Sequence, residues 1–173
     1  MPSVPEELNV YRRPHSLMVK LVNDIERELS ATDFCDAQSY LQLLGHLSTN
    51  FHVFQTHEEI ENRYIVGELM PRLPCNHKAK LENDLHSDNR LSTLVNLVSE
   101  GLQMGWCSEE ARVDFGERLK TAIASFTVDF LPHMREEEEV FLPLLVQYFS
   151  EPELKKLTRD VIELHHLNDF GTH

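Results

Sequence analysis

The chain has 173 residues, a hydrophobic fraction of 41% and a net charge of −13, which suit one globular domain with a single buried core. The negative charge argues against nucleic-acid binding, because phosphate backbones repel it, and no apolar run is long enough to span a membrane. The N-terminus lacks the basic and apolar regions of a signal peptide. Three cysteines, far apart and odd in number, indicate neither a disulfide framework nor a CxxC metal site. We therefore expect reduced thiols in a cytoplasmic or nuclear protein.

Apolar residues recur at helical spacing along most of the chain, and only six glycines interrupt it. The spacing predicts helix one over about 14–29, helix two over 36–70, helix three over 87–104, helix four over 109–149 and a last helix over 151–166. Pro71 and Pro74 should end helix two, and Pro132 and Pro143 should kink helix four or loosen a turn of it. The polar segment 72–86 has no clean period and is predicted to be a loop or a poorly ordered connection.

These elements predict an all-α fold, an up-down-up-down four-helix bundle with an extra short C-terminal helix. We expect residues 1–173 to form one domain, with one inward stripe on each long helix. The predicted stripes are His15, Met18, Val22, Ile25 and Leu29 on helix one; Leu43, Leu47, Phe51, Phe54, His57, Glu61, Ile65 and Leu69 on helix two; Leu91, Leu94, Val98 and Leu102 on helix three; and Phe115, Leu119, Ala122, Phe126, Phe130, His133, Glu137, Val140 and Leu144 on helix four.

Two of the stripes contain ionisable residues where apolar ones are expected. His57 and Glu61 lie four apart in helix two, and His133 and Glu137 lie four apart in helix four. Residues four apart lie on one side of a helix, so each pair can face one metal ion. A buried, ionised glutamate is costly unless it is paired or bound to metal, and neither stripe carries a lysine or arginine. Imidazole and carboxylate suit iron, manganese or zinc, while the lack of nearby cysteines argues against a structural zinc site.

Three further residues could complete a ligand shell. His15 lies on the inward face of helix one, His86 lies at the entry to helix three, and Glu58 lies about 100° around the helix from His57. Four histidines and three glutamates are too many ligands for one ion, but they suit two ions that share bridging carboxylates. Taken singly, His15 has an ordinary interpretation as a core histidine and His86 as a surface one. The alternative for the whole set is a helical bundle that binds no metal.

The other ionisable residues near these positions have structural interpretations. Glu136, Glu138 and Glu139 are expected to form a solvated face. His46 lies three turns from His57, too far along the helix to share a metal with it. Five more histidines lie off the stripes or in loose segments and are interpreted as structural: His52, His77, His165, His166 and His173.

The helix order and the two His-x-x-x-Glu pairs resemble the hemerythrin family, most narrowly the hemerythrin-like domains that begin F-box and leucine-rich-repeat ubiquitin-ligase subunits. The resemblance rests on HEEIEN from His57, HSDN from His86, DFLPHM from Asp129 with the acidic run 136–139, and Pro14-His15, and it covers nearly the whole chain. It implies two iron ions, bridged by an oxo or hydroxo group and by two of the glutamates, Glu61 and Glu137. The implied ligands are His15, His57, Glu58, Glu61, His86, His133 and Glu137.

The chain departs from the oxygen-carrying hemerythrins in its third and fourth helices. Those proteins have His-x-x-x-His on the third helix and His-x-x-x-x-Asp on the fourth, whereas here Arg90 follows His86 by four and Glu138 follows His133 by five. Glu58 takes the place of a histidine. The resulting shell contains more carboxylate and less imidazole, which weakens the case for reversible dioxygen storage.

The resemblance implies a regulatory domain and not an enzyme, with iron and dioxygen as its partners. With both present the domain would be folded and the ubiquitin-ligase subunit that carries it would persist, controlling iron homeostasis. Without iron the domain would loosen, beginning in segment 72–86. Ubiquitin-ligase components would be reached through a longer protein, of which 1–173 would be the N-terminal part. The alternatives are an oxygen-binding or iron-storage hemerythrin, which should stay folded without iron, and a di-iron oxidase.

Overall fold

The computed structural model describes residues 4–75, 77–78 and 90–169, and in that part of the chain it is predominantly helical and contains no strand. The all-α prediction is therefore confirmed. After a short 3-10 turn, Glu6–Leu8, the main helices are α1, Arg12–Ala31; α2, made of Ala37–Ile60, a π-helical stretch Glu61–Val66 and Gly67–Leu69; α3, Arg90–Met104; α4, made of Glu109–Glu136, a π-helical stretch Glu137–Phe141 and Leu142–Tyr148; and α5, Glu151–Asp169. Each predicted helix is present, and α5, expected to be short, has 19 residues. None of the described helices is both long and apolar enough to cross a membrane.

Polar side chains set where several helices begin. The Asn9 side-chain oxygen accepts hydrogen bonds from the backbone N–H groups of Tyr11 and Arg12, each at 3.1 Å, at the start of α1. Before α2, an Asp36 carboxylate oxygen accepts from the Ser39 backbone N–H at 2.7 Å. These contacts satisfy N–H groups that have no partner inside the helix.

The segment predicted as a loop over 72–86 is not wholly irregular. Residues 75, 77 and 78 are helical, and the N–H groups of His77 and Lys78 donate to the Pro74 carbonyl at 3.0 and 3.2 Å. Proline suits the first turn of a helix, because its missing N–H would have no partner there. Helix α2 does end before Pro74, as predicted, but Pro74 also begins a further helical turn that we did not predict. Residues 76 and 79–86 lie outside the described part.

The described chain forms two compact units. The first comprises Met1–Met18, Gln55–Ser87 and Pro132–His173. Its core is apolar and closely packed, as expected for a cluster that supplies most of the unit's stability. The buried members are Val10, Tyr11, Ile60, Ile65, Leu69, Leu73, Phe141, Leu142, Leu145, Leu154, Leu157 and Val161. Every described site residue discussed below belongs to this unit.

The second unit comprises Val19–Phe54 and Asp88–Leu131 and has an aromatic core. Phe54 meets Phe126 and Phe130 edge-to-face, with ring centroids 5.5 and 5.1 Å apart, and the latter two rings stack at 4.9 Å. Such offset and edge-on contacts add to the area that the rings bury. The buried Arg112 guanidinium donates to the backbone carbonyls of Phe34 and Cys107. This unit therefore has a core and a buried polar anchor of its own.

The predicted stripe of helix three is wrong at its end. Leu102 is 40% exposed, and the inward position is taken by Gly101. A Cβ added at Gly101 would lie 2.7 Å from two ring carbons of Phe115 and 2.9 Å from a methyl carbon of Leu44. The helix turns its smallest residue inward because there is no room for a leucine.

The stripe of helix four is also wrong at Ala122 and His133, where Ile123 and Met134 are the buried residues, and again beyond Glu137. Phe141 and Leu145 are buried, in place of the predicted Val140 and Leu144. The π-helical stretch Glu137–Phe141 widens the turn, so the inward face moves on by a residue. Pro143, which has no N–H to donate, follows directly, in keeping with the expected loosened turn.

We predict that Gly101→Ala destabilises the protein by about 1–3 kcal/mol, because the added methyl group overpacks the core against Phe115. Gly45→Ala is the matched control, since nothing lies within 4 Å of its Cβ position. Alanine favours a helix over glycine, so the control should gain up to about 1 kcal/mol. Urea unfolding midpoints measure both. Equal shifts in the two variants would contradict the close packing at Gly101.

Candidate metal centre

Both π-helical stretches begin at a glutamate that follows a histidine by four residues. In α2 the stretch starts at Glu61, and the N–H of Gly67 donates to the Asn62 carbonyl. In α4 it starts at Glu137, whose own carbonyl accepts from the N–H of Leu142. These hydrogen bonds join residues five apart, so they interrupt the regular α-helical pattern. Such π-helical turns are rare and often occur at functional sites. Two helices therefore carry the same local distortion at the same position relative to a His-x-x-x-Glu pair.

His15 of α1 lies between the two glutamates. Its Nε2 atom is 3.1 Å from Oε1 of Glu61 and 3.5 Å from Oε2 of Glu137. Its Nδ1 atom is 2.8 Å from Oε1 of Glu138. The ring is 4% exposed, and both of its nitrogens therefore face carboxylates in a nearly dry setting.

Each glutamate also meets the histidine of its own helix. The Nε2 atom of His57 is 3.4 Å from Oε2 of Glu61, and the Nε2 atom of His133 is 3.4 Å from Oε1 of Glu137. The predicted pairing of residues four apart on one helix face is therefore confirmed as a spatial arrangement. The two pairs differ in exposure, because the His57 side chain is 1% exposed and that of His133 is 37% exposed.

Glu61 and Glu137 are 5% and 6% exposed. Within the described chain the basic side chains within 4 Å of their carboxyl groups are histidines alone, and neither meets a lysine or arginine. Oε2 of Glu137 is buried and accepts no hydrogen bond from the described residues. Buried carboxylates without strong cationic partners are unfavourable, so the site is arranged to receive positive charge.

The buried carboxyl groups and their surroundings change the pKa values of several groups in the metal-free site. Burial raises the pKa of Glu61 to about 8, and the Glu137 carboxylate adds to the shift. Burial disfavours the charged form of His15, but its contacts with three glutamates, Glu137, Glu138 and Glu61, outweigh that effect and raise its pKa to about 11. Burial lowers the pKa of His57 well below its usual value. These shifts favour a protonated His15 and a neutral His57 in the metal-free site.

The donor atoms are close enough to share a metal ion. One ligand atom from each of His15, His57 and Glu61 lies within 4.8 Å of the other two. Metal–nitrogen and metal–oxygen bonds are about 2.0–2.2 Å long, so two ligands of one ion lie at most about 4 Å apart and small adjustments suffice. Imidazole and carboxylate donors suit iron, manganese and zinc. The residues thus fit a metal centre by chemistry, burial and spacing.

The structure brings five of the seven predicted ligands into one cluster: His15, His57, Glu61, His133 and Glu137. Glu58 is half-buried in the turn that carries His57. His86 lies outside the described residues. Ligation by each of the seven remains a prediction.

Two residues that we interpreted as structural or solvated contact the cluster. Glu138 was predicted to lie on a solvated face. Its side chain is 41% exposed, but its Oε1 atom lies 2.8 Å from Nδ1 of His15. His165 is 7% exposed and lies against His57, with 2.9 Å between Nε2 of His165 and Nδ1 of His57. The sequence carries a signal for His165, because it follows Val161 by four on the inward stripe of α5.

Tyr11 is a further neighbour that sequence reasoning missed. Its ring centroid lies 5.0 Å from that of His15, and its hydroxyl is buried without a hydrogen-bond partner in the described part of the chain. Burial, together with the negative charge of Glu61 and Glu137, raises the pKa of Tyr11 well above its usual value. The phenol is therefore neutral and forms one wall of the cluster.

Fold and site together define a class: an all-helical protein with a buried cluster of histidines and carboxylates suited to metal. No family model matches the sequence. The chain does match the N-terminal part of F-box/LRR-repeat protein 5. It is 41% identical to that protein from Salmo salar and 39% identical to those from Bos taurus and Mus musculus, over 165 residues or 95% of the chain. It spans 23% of the length of these relatives.

Proposed function

We propose that this chain is a di-iron-binding domain that senses iron and oxygen and sets the lifetime of an SCF-type ubiquitin-ligase subunit. The observation that carries the proposal is the pair of buried glutamates, Glu61 and Glu137, which a single histidine, His15, bridges in the metal-free chain. Two ions of charge +2 or more would replace the protons that this arrangement now requires. The hemerythrin resemblance favours iron among the metals that suit these donors.

In this proposal Glu61 and Glu137 would be the ligands that the two ions share, and the histidines would complete the donor set. His57 and His133 would each bind an ion together with the glutamate of their own helix, and His15 would bind an ion through Nε2. Glu58 and His86 would complete the shell. The metals, when bound, supply positive charge and a site for dioxygen. The protein residues orient the donors and keep most of the cluster dry.

Metal binding requires that protons leave the cluster. His15 must give up the Nε2 proton that it donates to Glu61, and Glu61 must be ionised, although burial raises the pKa of its carboxyl to about 8. Metal affinity should therefore increase with pH across the neutral range. Because the ligands come from α1, α2 and α4, the energy of metal binding also stabilises the folded first unit. Loss of iron would then destabilise the folded first unit.

The similarity to F-box/LRR-repeat protein 5 supports the link to ubiquitin ligases. The F-box and leucine-rich repeats would lie in the remainder of a longer protein, through which ligase components would bind. This domain would be regulatory and would catalyse no reaction of its own. It would act in the cytoplasm or nucleus, where iron homeostasis is controlled.

Iron stoichiometry and thermal stability test the proposal. After anaerobic reconstitution we expect about two iron ions per wild-type chain and a melting temperature that increases with iron. His57→Ala should lose iron and the thermal gain. His46→Ala is the matched control, since His46 is an exposed histidine on the same helix and pairs with Glu28. It should retain both.

Two outcomes would contradict the proposal in different ways. A wild-type chain that binds no iron, and whose melting temperature is the same with and without iron, would exclude the proposed metal centre. A chain that binds iron, stays fully folded without it and shows a reversible oxygenated spectrum would instead be an oxygen-binding hemerythrin. Only the second outcome would leave the ligand assignment standing.

A further inference from the structure

The C-terminal helix α5 places a histidine directly behind a predicted metal ligand. Its inward stripe consists of Leu154, Leu157, Val161 and His165, which are 2%, 9%, 0% and 7% exposed. The first three belong to the apolar core of the first unit. His165 continues the stripe by one turn, and its ring centroid lies 5.2 Å from that of His57.

The hydrogen bonds of His165 have a direction that follows from chemistry. Its Nδ1 atom lies 2.7 Å from the Val161 carbonyl oxygen, which can only accept, so Nδ1 carries a proton. In the neutral ring the other nitrogen, Nε2, is then an acceptor. It lies 2.9 Å from Nδ1 of His57, which must donate to it.

The tautomer of His57 is thereby determined. With its proton on Nδ1, a neutral His57 presents the lone pair of Nε2 on the side where Glu61 Oε2 lies 3.4 Å away. A metal ion binds that lone pair, and the opposite tautomer would present a proton there instead. The order carbonyl, imidazole, imidazole, metal site resembles the way in which other proteins hold ligating histidines through a second partner.

We propose that His165 is a positioning residue, which holds His57 in the Nδ1–H tautomer with Nε2 facing the metal centre and so couples the packing of α5 to metal binding. This inference rests on the metal centre proposed above. It adds a residue outside the seven predicted ligands. It also gives α5 a role, because a helix that leaves the core would release His57 to rotate and change tautomer.

Three variants separate this role from simple packing. His165→Leu removes the acceptor and keeps an apolar side chain. His165→Gln retains a side-chain oxygen that can accept from His57. Thr158→Val is the control on the same helix, since the Thr158 hydroxyl is buried and makes no hydrogen bond within the described chain.

Long-range nitrogen–proton correlation spectra of the metal-free protein report the tautomer of His57. We expect the Nδ1–H form in wild type and Thr158→Val, and a mixture of tautomers in His165→Leu. Iron affinity should fall about 10–100-fold in His165→Leu, the usual effect of losing such a partner, and recover largely in His165→Gln. Circular dichroism establishes that each variant is folded.

Nδ1 of His57 found without its proton in folded wild type would overturn the inference. So would His165→Leu binding iron as tightly as wild type. Loss of iron by His165→Gln and Thr158→Val to the same extent as by His165→Leu would show a packing effect and would also overturn it. A wild type with the Nδ1–H tautomer that takes up no iron would instead refute the proposed function, leaving the tautomer assignment supported.

Discussion

Replacing Glu61 by glutamine is expected to stabilise the metal-free protein and to destabilise the iron-loaded one. Without metal, burial and the neighbouring Glu137 disfavour the Glu61 carboxylate, so a neutral amide of the same shape should gain about 1–4 kcal/mol. With iron, the amide lacks the charge needed to bridge two cations. The iron-dependent increase in melting temperature should fall by about 5–10 °C, at 2–4 °C per kcal/mol.

The gain in the metal-free protein should depend on pH. Burial raises the pKa of Glu61 in the folded state to about 8 from an ordinary 4.5. Wild type therefore has its full Glu61 contribution below about pH 4.5 and loses it as pH increases to about 8. His15, with its pKa raised to about 11, adds a loss that begins near pH 6.5. The advantage of Glu61→Gln should increase up to about pH 8 and then level off.

Denaturant unfolding at several pH values, once with a chelator and once with iron, measures the change in the free energy of unfolding for the metal-free and the iron-loaded protein. Glu68→Gln is the matched control, because Glu68 is exposed in the same helix, α2. It should change stability by less than about 0.5 kcal/mol in either state. If Glu61→Gln destabilised the metal-free protein as much as the iron-loaded one, the carboxylate would be structural and the metal interpretation would fail.

Removing iron should loosen the first unit far more than the second. All described ligand candidates, from His15 to Glu137, lie in the first unit, whereas the aromatic core around Phe54 and Phe126 lies in the second. If free iron exceeds its dissociation constant about 100-fold, its loss corresponds to about 2.7 kcal/mol and a 100-fold increase in exchange through opening. Local opening of this kind is common in regions that bind ligands.

Hydrogen exchange followed by mass spectrometry would measure this contrast. Peptides from Gln55–Leu69 and from α5 should lose protection after chelation, while peptides from Ala37–Phe54 and α3 should change little. His57→Ala without iron should already resemble the chelated wild type. Uniform loss of protection in both units would indicate that iron stabilises the fold as a whole, and unchanged exchange would exclude an iron-controlled fold.

Much of the helical framework could be predicted from the sequence, because helix formation depends on residues close together in the chain. Apolar spacing located each main helix to within a few residues. The same periodicity paired His57 with Glu61 and His133 with Glu137, and in the structure Nε2 of each histidine lies 3.4 Å from its glutamate, although the His133 side chain is 37% exposed. Their ionisable character at core positions was enough to predict a metal site.

The errors in the predicted stripes arise where packing or local helix geometry departs from a regular helical period. Gly101 replaced Leu102 on the inward face because the Phe115 ring leaves no room. Phe141 and Leu145 replaced the predicted Val140 and Leu144 because a π-helical turn shifted the face. The contact at Gly101 has no signature in the helical period because it depends on the Phe115 ring, and a π-helical turn interrupts the regular period on which the prediction rested.

The buried glutamates separate what the sequence determines from what only the tertiary structure determines. Local periodicity by itself determined that Glu61 and Glu137 face inward with a histidine one turn before each. Only the tertiary structure decided that His15, from a separate helix, reaches between them, and that His165 stands behind His57. Partners 46 and 108 residues apart are chosen by packing energy and hydrogen-bond direction in the folded chain, which spacing along a helix cannot encode.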